Sequence, residues 1–295
     1  MFHKNHALRH TYILLLGILG FLSLTSCESF NEPEPIPSYL KVDSLQVVTG
    51  TGEGSGKHGL LDAWVFVGDN LLGIYEVPFE VPILKESNTE IKILGGIKLN
   101  GQNEIRRDYP FYDFYTEVVD FQPNTTSTIS PILRYNEGLN FWIEDFEDPG
   151  VKFIKSAGSD TALERTIDTN LVYDQTGTGV IHLDQERNHA IVVTDNDFVL
   201  PAGVPVFLEM DYNTDVPLAL GVFSEGLSSV TKINILTLVS TQGIYEGGWN
   251  KVYLDLSTVV SAQPGTPLEI FIEAIVPSSK ESTSIYLDNI KLVYP

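Results

Sequence analysis

Asp145 and Glu147 are the acids best spaced for carboxylate chemistry. Two residues apart on a strand, they would project from one face roughly 6.5 to 7 Å from each other, within the range that glycoside hydrolysis uses. A hydrolase also needs its two carboxylates in unlike environments within a cleft, and spacing alone supplies neither. Beyond residue 26 the histidines are His58, His182 and His189, with no His-x-x-x-His spacing and no Gly-x-Ser-x-Gly elbow to present a nucleophile. The run from Thr51 to Gly59 is rich in glycine, but no Gly-Lys-Ser/Thr follows and no helix start is visible, so it is a loop and not a phosphate cradle. Catalysis is not expected.

Aromatic residues are the better candidates for recognition, because a ring offers a large contact area at little entropic cost. Tyr212 follows Glu209-Met210-Asp211 on a strand, and Tyr245 lies in the Gly-bounded loop Gln242 to Gly248. These two are the expected ligand-binding residues. The cluster Tyr109-Pro110-Phe111-Tyr112-Asp113-Phe114-Tyr115 reads as a segment whose rings lie in a core and against a neighbouring domain.

The elements that must position these side chains are strands. From Tyr39 onward no stretch of 12 or more residues keeps a helical period, whereas short apolar or alternating runs recur between Gly, Pro, Asn and Asp clusters. The chain is therefore all-β. Tyr39 to Val48, Leu60 to Val67 and Leu71 to Val77 read as strands, with a tight turn at Gly68-Asp69-Asn70. The pattern breaks at Asn136-Glu137-Gly138, and eight or nine further strands follow in a length that suits a two-sheet jelly roll. Among them are Val180 to Leu183, Ala190 to Val193, Val204 to Tyr212, Leu218 to Phe223 and Ser284 to Val293.

Composition narrows the partners. The 295 residues carry 18 Lys+Arg against 39 Asp+Glu, a net charge of −21, so a phosphate backbone is an improbable ligand and nucleic acid is excluded. The single Cys27 rules out an internal disulfide and a thiolate zinc site. No organic cofactor is expected.

The first 26 residues follow the plan of an export signal, with Lys4 and Arg9 ahead of a 13-residue apolar run from Tyr12 to Leu24. That run is shorter than the roughly 20 residues that span a bilayer as a helix. It ends in Leu24-Thr25-Ser26-Cys27, which resembles the lipobox of bacterial lipoproteins. The resemblance implies cleavage before Cys27, lipidation of that residue and an outer-membrane location, with the body on the cell surface or facing the periplasm. Cleavage removes two cations and no acid, so the charge goes from −21 to −23. Residues 27–38, acidic and rich in proline, read as an extended tether that holds so acidic a body away from anionic headgroups.

Two further resemblances concern the halves. Asp62 to Gly73 followed by Pro78, with Thr89 to Ile93, resembles small Ig-like or PEGA-type β-domains, which act as spacers and adaptors. Glu144-Asp145-Phe146-Glu147-Asp148, Gly248 to Leu256 and Ile285 to Leu292 resemble the first, late and last strands of galactose-binding-like carbohydrate-binding modules. The whole chain also resembles a class of Bacteroidetes surface lipoproteins, which implies no activity. From the module resemblance, the first and last strands should lie side by side, Trp249 should be a core residue of the late strand, and Glu147 and Asp288 match the positions that hold a structural calcium ion. The organisation expected is a leader over 1–26, a tether over 27–38, an Ig-like domain over 39–137 and a jelly roll over 138–295. The function expected is a lipid-anchored, non-catalytic module that binds glycan; the alternative is an adhesion or assembly component that contacts another envelope protein and no sugar.

Overall fold

The computed structural model describes residues 34–84, 87–102, 105–226, 229–244 and 248–295. Cys27 and Tyr245 lie outside them. The fold is all-β, as the spacing of apolar residues predicts: among the described residues the one α-helix is Ser257–Ala262.

In the first half, Ser38–Val42 pairs antiparallel with Phe79–Ile83 and parallel with Thr126–Ile129. A second sheet is built on Ser87–Lys98, flanked by Asp62–Val67 on one side and by Arg106–Asp108 and Tyr115–Phe121 on the other, with Asn70–Glu76 at its edge. Alternate residues meet between the sheets. Leu40, Val42, Val81 and Ile83 pack with Ala63, Val65, Ile91, Ile93 and Phe121 in one buried cluster. The turn expected at Gly68 is present: Val67 opposes Asn70, and Gly68 has φ +60°, which glycine adopts without steric penalty.

The second half is the larger sandwich. One sheet orders Glu164–Thr166, Thr178–Asp184, Ser282–Tyr294, Phe207–Asn213 and Asn250–Asp255. The other orders Phe153–Lys155, His189–Thr194, Leu268–Ile275, Leu218–Glu225 and Val230–Leu238. Asn140–Glu144 runs antiparallel to the end of the 13-residue strand Ser282–Tyr294, from Asn140 opposite Tyr294 to Glu144 opposite Ile290. First and last strands are thus neighbours, as the resemblance implies. The short strands Phe153–Lys155 and Glu164–Thr166 have no apolar run to announce them.

A spacer domain would touch its neighbour lightly, but these halves share a core. Phe207, Tyr253 and Val293, from the outer face of the first sheet of the jelly roll, belong to the buried cluster of the first half. Tyr109 stands edge-on to Phe207 at 5.5 Å and lies 5.0 Å from Tyr253, while Phe111 meets Phe207 at 5.8 Å. The aromatic segment thus does what its reading as a packed segment predicts, except at Phe114, which is exposed. Leu208, Met210, Val252, Leu254 and Leu292 fill the jelly-roll core from the opposite face of the same strands.

Candidate functional site

The shared face carries charge as well as rings. Glu209 is fully buried and accepts hydrogen bonds from the hydroxyls of Tyr109 at 2.6 Å and Tyr135 at 2.7 Å. Lys251 stands 3.7 Å from Glu209 and 3.4 Å from Asp211. Lys291 donates to the carbonyl of Ser55 at 2.6 Å, reaching into the glycine-rich loop of the first half. Burial pushes the Glu209 carboxyl up, but the ammonium groups of Lys291 and Lys251 and the two tyrosine hydroxyls outweigh it and hold Glu209 below its ordinary value. Burial brings Lys291 down to about 8 against the pull of Glu209. A network so enclosed holds the halves in register and offers no entry to a ligand.

At its rim the same junction opens. Residues 167–177 connect Glu164–Thr166 to Thr178–Asp184 and carry Tyr173, whose ring stacks on Trp249 at 4.2 Å and 18°. The Nζ of Lys57, from the first half, lies 4.2 Å from the Tyr173 ring centre. Ser55 Oγ donates to Asp174 at 2.6 Å. Beside Tyr173 is a cavity of about 560 Å³, lined by Arg165, Thr169, Asp174, Gln175 and Thr176 among others. Trp249 precedes the strand Asn250–Asp255 and is half-buried. This corrects its expected place in the core, since Gly248 at φ +75° turns the chain just before it.

The acids expected to hold calcium have a different employment here. Glu147 accepts from the backbone N–H of Thr176 at 3.0 Å and of Gly177 at 3.1 Å, and also from the Thr176 hydroxyl. Asp288, 1% exposed, accepts from Thr178 Oγ1 at 2.8 Å and from the N–H of Asn289 at 2.8 Å. Thr178 Oγ1 in turn accepts from the N–H of Tyr173 at 2.9 Å. Both acids therefore fasten the segment that presents the Tyr173 ring, at residues 176–178. At Gly177 a Cβ would meet the carbonyl oxygen of Phe146 at 2.0 Å, so only glycine fits the return of this loop.

Their environments differ. Burial pushes Glu147 up, but its hydrogen bonds from Thr176 and Gly177 overcome this and leave it lowered. Burial pushes Asp288 up to about 7 despite its two donors, with Asp211 and Asp174 adding repulsion. Asn289 donates to Asp211 at 3.1 Å through Nδ2, and its buried Oδ1 has no hydrogen-bond partner among the described residues. Asp145, the other half of the carboxylate pair weighed for hydrolysis, accepts from the N–H of Glu147 at 3.3 Å. The three carboxylates that the described residues bring within 4.8 Å of one another are elsewhere, at Asp197, Glu225 and Glu269.

Tyr212 is corrected outright. It is 3% exposed, its ring belongs to the jelly-roll core, and its hydroxyl accepts from Asn250 Nδ2 at 3.1 Å. Alternation explains this: Glu209 and Asp211 face the first half, so Met210 and Tyr212 must face the core. Tyr173 is the residue that sequence reasoning missed. It sits between strands in an irregular loop, where no apolar period marks an aromatic residue as placed.

No protein-family profile matches the chain, and no curated protein sequence does. Among solved structures, the chain is similar to a carbohydrate-binding module of the β-sandwich superfamily described as promiscuous in specificity. That likeness has 13% identity and a TM-score of 0.40, and covers 78% of this chain and 84% of that one. It is also similar to variants of a family 29 carbohydrate-binding module. One is complexed with mannohexaose, at 10% identity and TM-score 0.34 over 52% of this chain and 92% of that one. Another is complexed with cellulohexaose, at 10% identity and TM-score 0.34 over 54% and 93%.

Proposed function

We propose that this protein is a lipid-anchored, non-catalytic glycan-binding protein of the cell envelope, which takes its ligand at the Tyr173–Trp249 rim. The observation that carries the reading is the near-parallel ring pair beside a polar-walled cavity. The C–H face of a sugar packs on an aromatic plane, and its hydroxyls need donors and acceptors close by. Arg165, Thr169, Asp174, Gln175 and Thr176 supply both kinds. The glycine-rich loop adds Lys57, held over the half-buried Tyr173 ring by a cation–π contact of about 1 kcal/mol, small enough for a ligand to displace. The anchor is Cys27, on the strength of Leu24-Thr25-Ser26-Cys27, and the location is the outer membrane with the body on the cell surface.

A panel of oligosaccharides titrated against the purified protein tests this, read by tryptophan fluorescence and calorimetry. Binding of at least one glycan is expected, with Trp249→Ala or Tyr173→Ala removing it while the melting temperature stays near that of wild type. Undiminished binding in both variants would move the site elsewhere. A panel without any binder would leave the adhesion or assembly alternative standing.

A further inference from the structure

The first half has an apolar hollow that sugar binding does not use. Ser38 pairs with Ile83, which sets Pro37 beside Leu84 at the end of that sheet. Leu72 projects beside them from the irregularity in the pairing of Asp62–Val67 with Asn70–Glu76. With Val67 and Pro82 these residues enclose a hollow of about 340 Å³, and among the described residues its lining has no ionisable side chain. Leu84 is 65% exposed, Leu72 38%, and Ile36 next to Pro37 61%. On a chain of net charge −21, an apolar lining with Leu84, Leu72 and Ile36 this exposed is an exception that calls for a cover.

Its place in the chain says what the cover is. Pro37 lies ten residues after Cys27, so the hollow lies within about 33–36 Å of that residue even with the chain fully extended. A weak contact held at that distance by a tether forms at a high effective concentration. We propose that Ile36, Leu72 and Leu84 seat the first half on the lipid surface, at the boundary between headgroups and acyl chains. This rests on the reading of Cys27 as the lipid anchor. The base of the protein is then fixed against the membrane, in place of the free-standing body that net charge alone predicts. The acidic remainder reinforces the orientation, because the apolar hollow is the surface that approaches lipid at the lowest electrostatic penalty.

The test uses the full lipidated protein in phosphatidylcholine vesicles. With Cys27 acylated, Leu84→Cys introduces the one free thiol, and a polarity-sensitive fluorophore on it reports its surroundings; Val230→Cys, on the outer sheet of the second half, is the control. On vesicles, emission from position 84 should move to shorter wavelength and be quenched by nitroxide-bearing lipid, while position 230 reports water. A label at 84 that stays aqueous on vesicles overturns the proposal and leaves the anchor intact. So does a label at 84 equally shielded without vesicles in a protein that also carries Cys27→Ala, because the cover is then the chain itself or a second copy. If mass spectrometry finds no acyl group on Cys27, the anchor reading fails and this proposal falls with it.

Discussion

Asp288→Asn isolates the least comfortable charge at the rim. The side chain is 1% exposed, and its carboxyl is pushed from 3.8 to about 7, first by burial and then by Asp211 and Asp174. Because the folded value lies above the unfolded one, the stability linked to this group is complete below about pH 4 and is lost as pH rises through 7. At 1.36 kcal/mol per pH unit, keeping Asp288 ionised in the folded protein at pH 8 costs about 4 kcal/mol. Asn has the same shape: its Oδ1 can accept from the N–H of Asn289, and its Nδ2 can donate to Thr178 once that hydroxyl turns. Asn retains part of the burial penalty, so a gain of roughly 2 kcal/mol is expected at pH 8, or about 4–8 °C in melting temperature. Calorimetric melting of wild type and variant in chelator, from pH 4 to pH 8, measures the gap, and other titrating groups such as Lys291 cancel in the difference. A variant less stable than wild type by roughly 2 kcal/mol at pH 4, where Asp288 is protonated, and more stable by roughly 2 kcal/mol at pH 8 is the expected pattern. A gap that does not change with pH, or a variant less stable at pH 8, would refute the burial argument.

From the module resemblance we propose a calcium ion held by Glu147 and Asp288. It would raise the melting temperature of wild type by up to about 2.7 kcal/mol of stabilisation at 100 times the dissociation constant, and leave Asp288→Asn unchanged. Superimposable wild-type curves with and without calcium refute it. Glu209→Ala should destabilise by about 3–5 kcal/mol in denaturant unfolding, because Lys251 and Lys291 lose their shared buried carboxylate and two tyrosine hydroxyls lose their acceptor. A loss under about 1 kcal/mol would mean that the network contributes little beyond what water would supply. Cys27→Ala should leave the chain unprocessed or released from the outer-membrane fraction. Wild-type fractionation of this variant would end the lipoprotein reading.

Strand alternation makes much of the fold legible in the residues alone. Leu218 to Phe223 and Ser284 to Val293 declare themselves by runs of apolar residues, and they lie within the observed Leu218–Glu225 and Ser282–Tyr294. The lipid anchor proposed at Cys27 rests on four contiguous residues and an apolar run, which the tertiary structure need not assemble. Period-2 logic also contains the answer for Tyr212, since Glu209, Asp211 and Tyr212 cannot all share a face. What decides it is which face of that strand meets the first half.

The rim is beyond the sequence for a plainer reason. Tyr173 and Trp249 are 76 positions apart, Lys57 comes from the other half, and none of the three lies within a regular strand. A strand position is set by local periodicity, but a loop ring is placed by what its loop is tied to. Here those ties are Glu147 to residues 176 and 177 and Asp288 to Thr178. Residue type and spacing could mark both acids as partners at the meeting of first and last strands. Only the folded chain, by setting backbone N–H groups and a threonine hydroxyl against them, decided that they hold an aromatic loop in place.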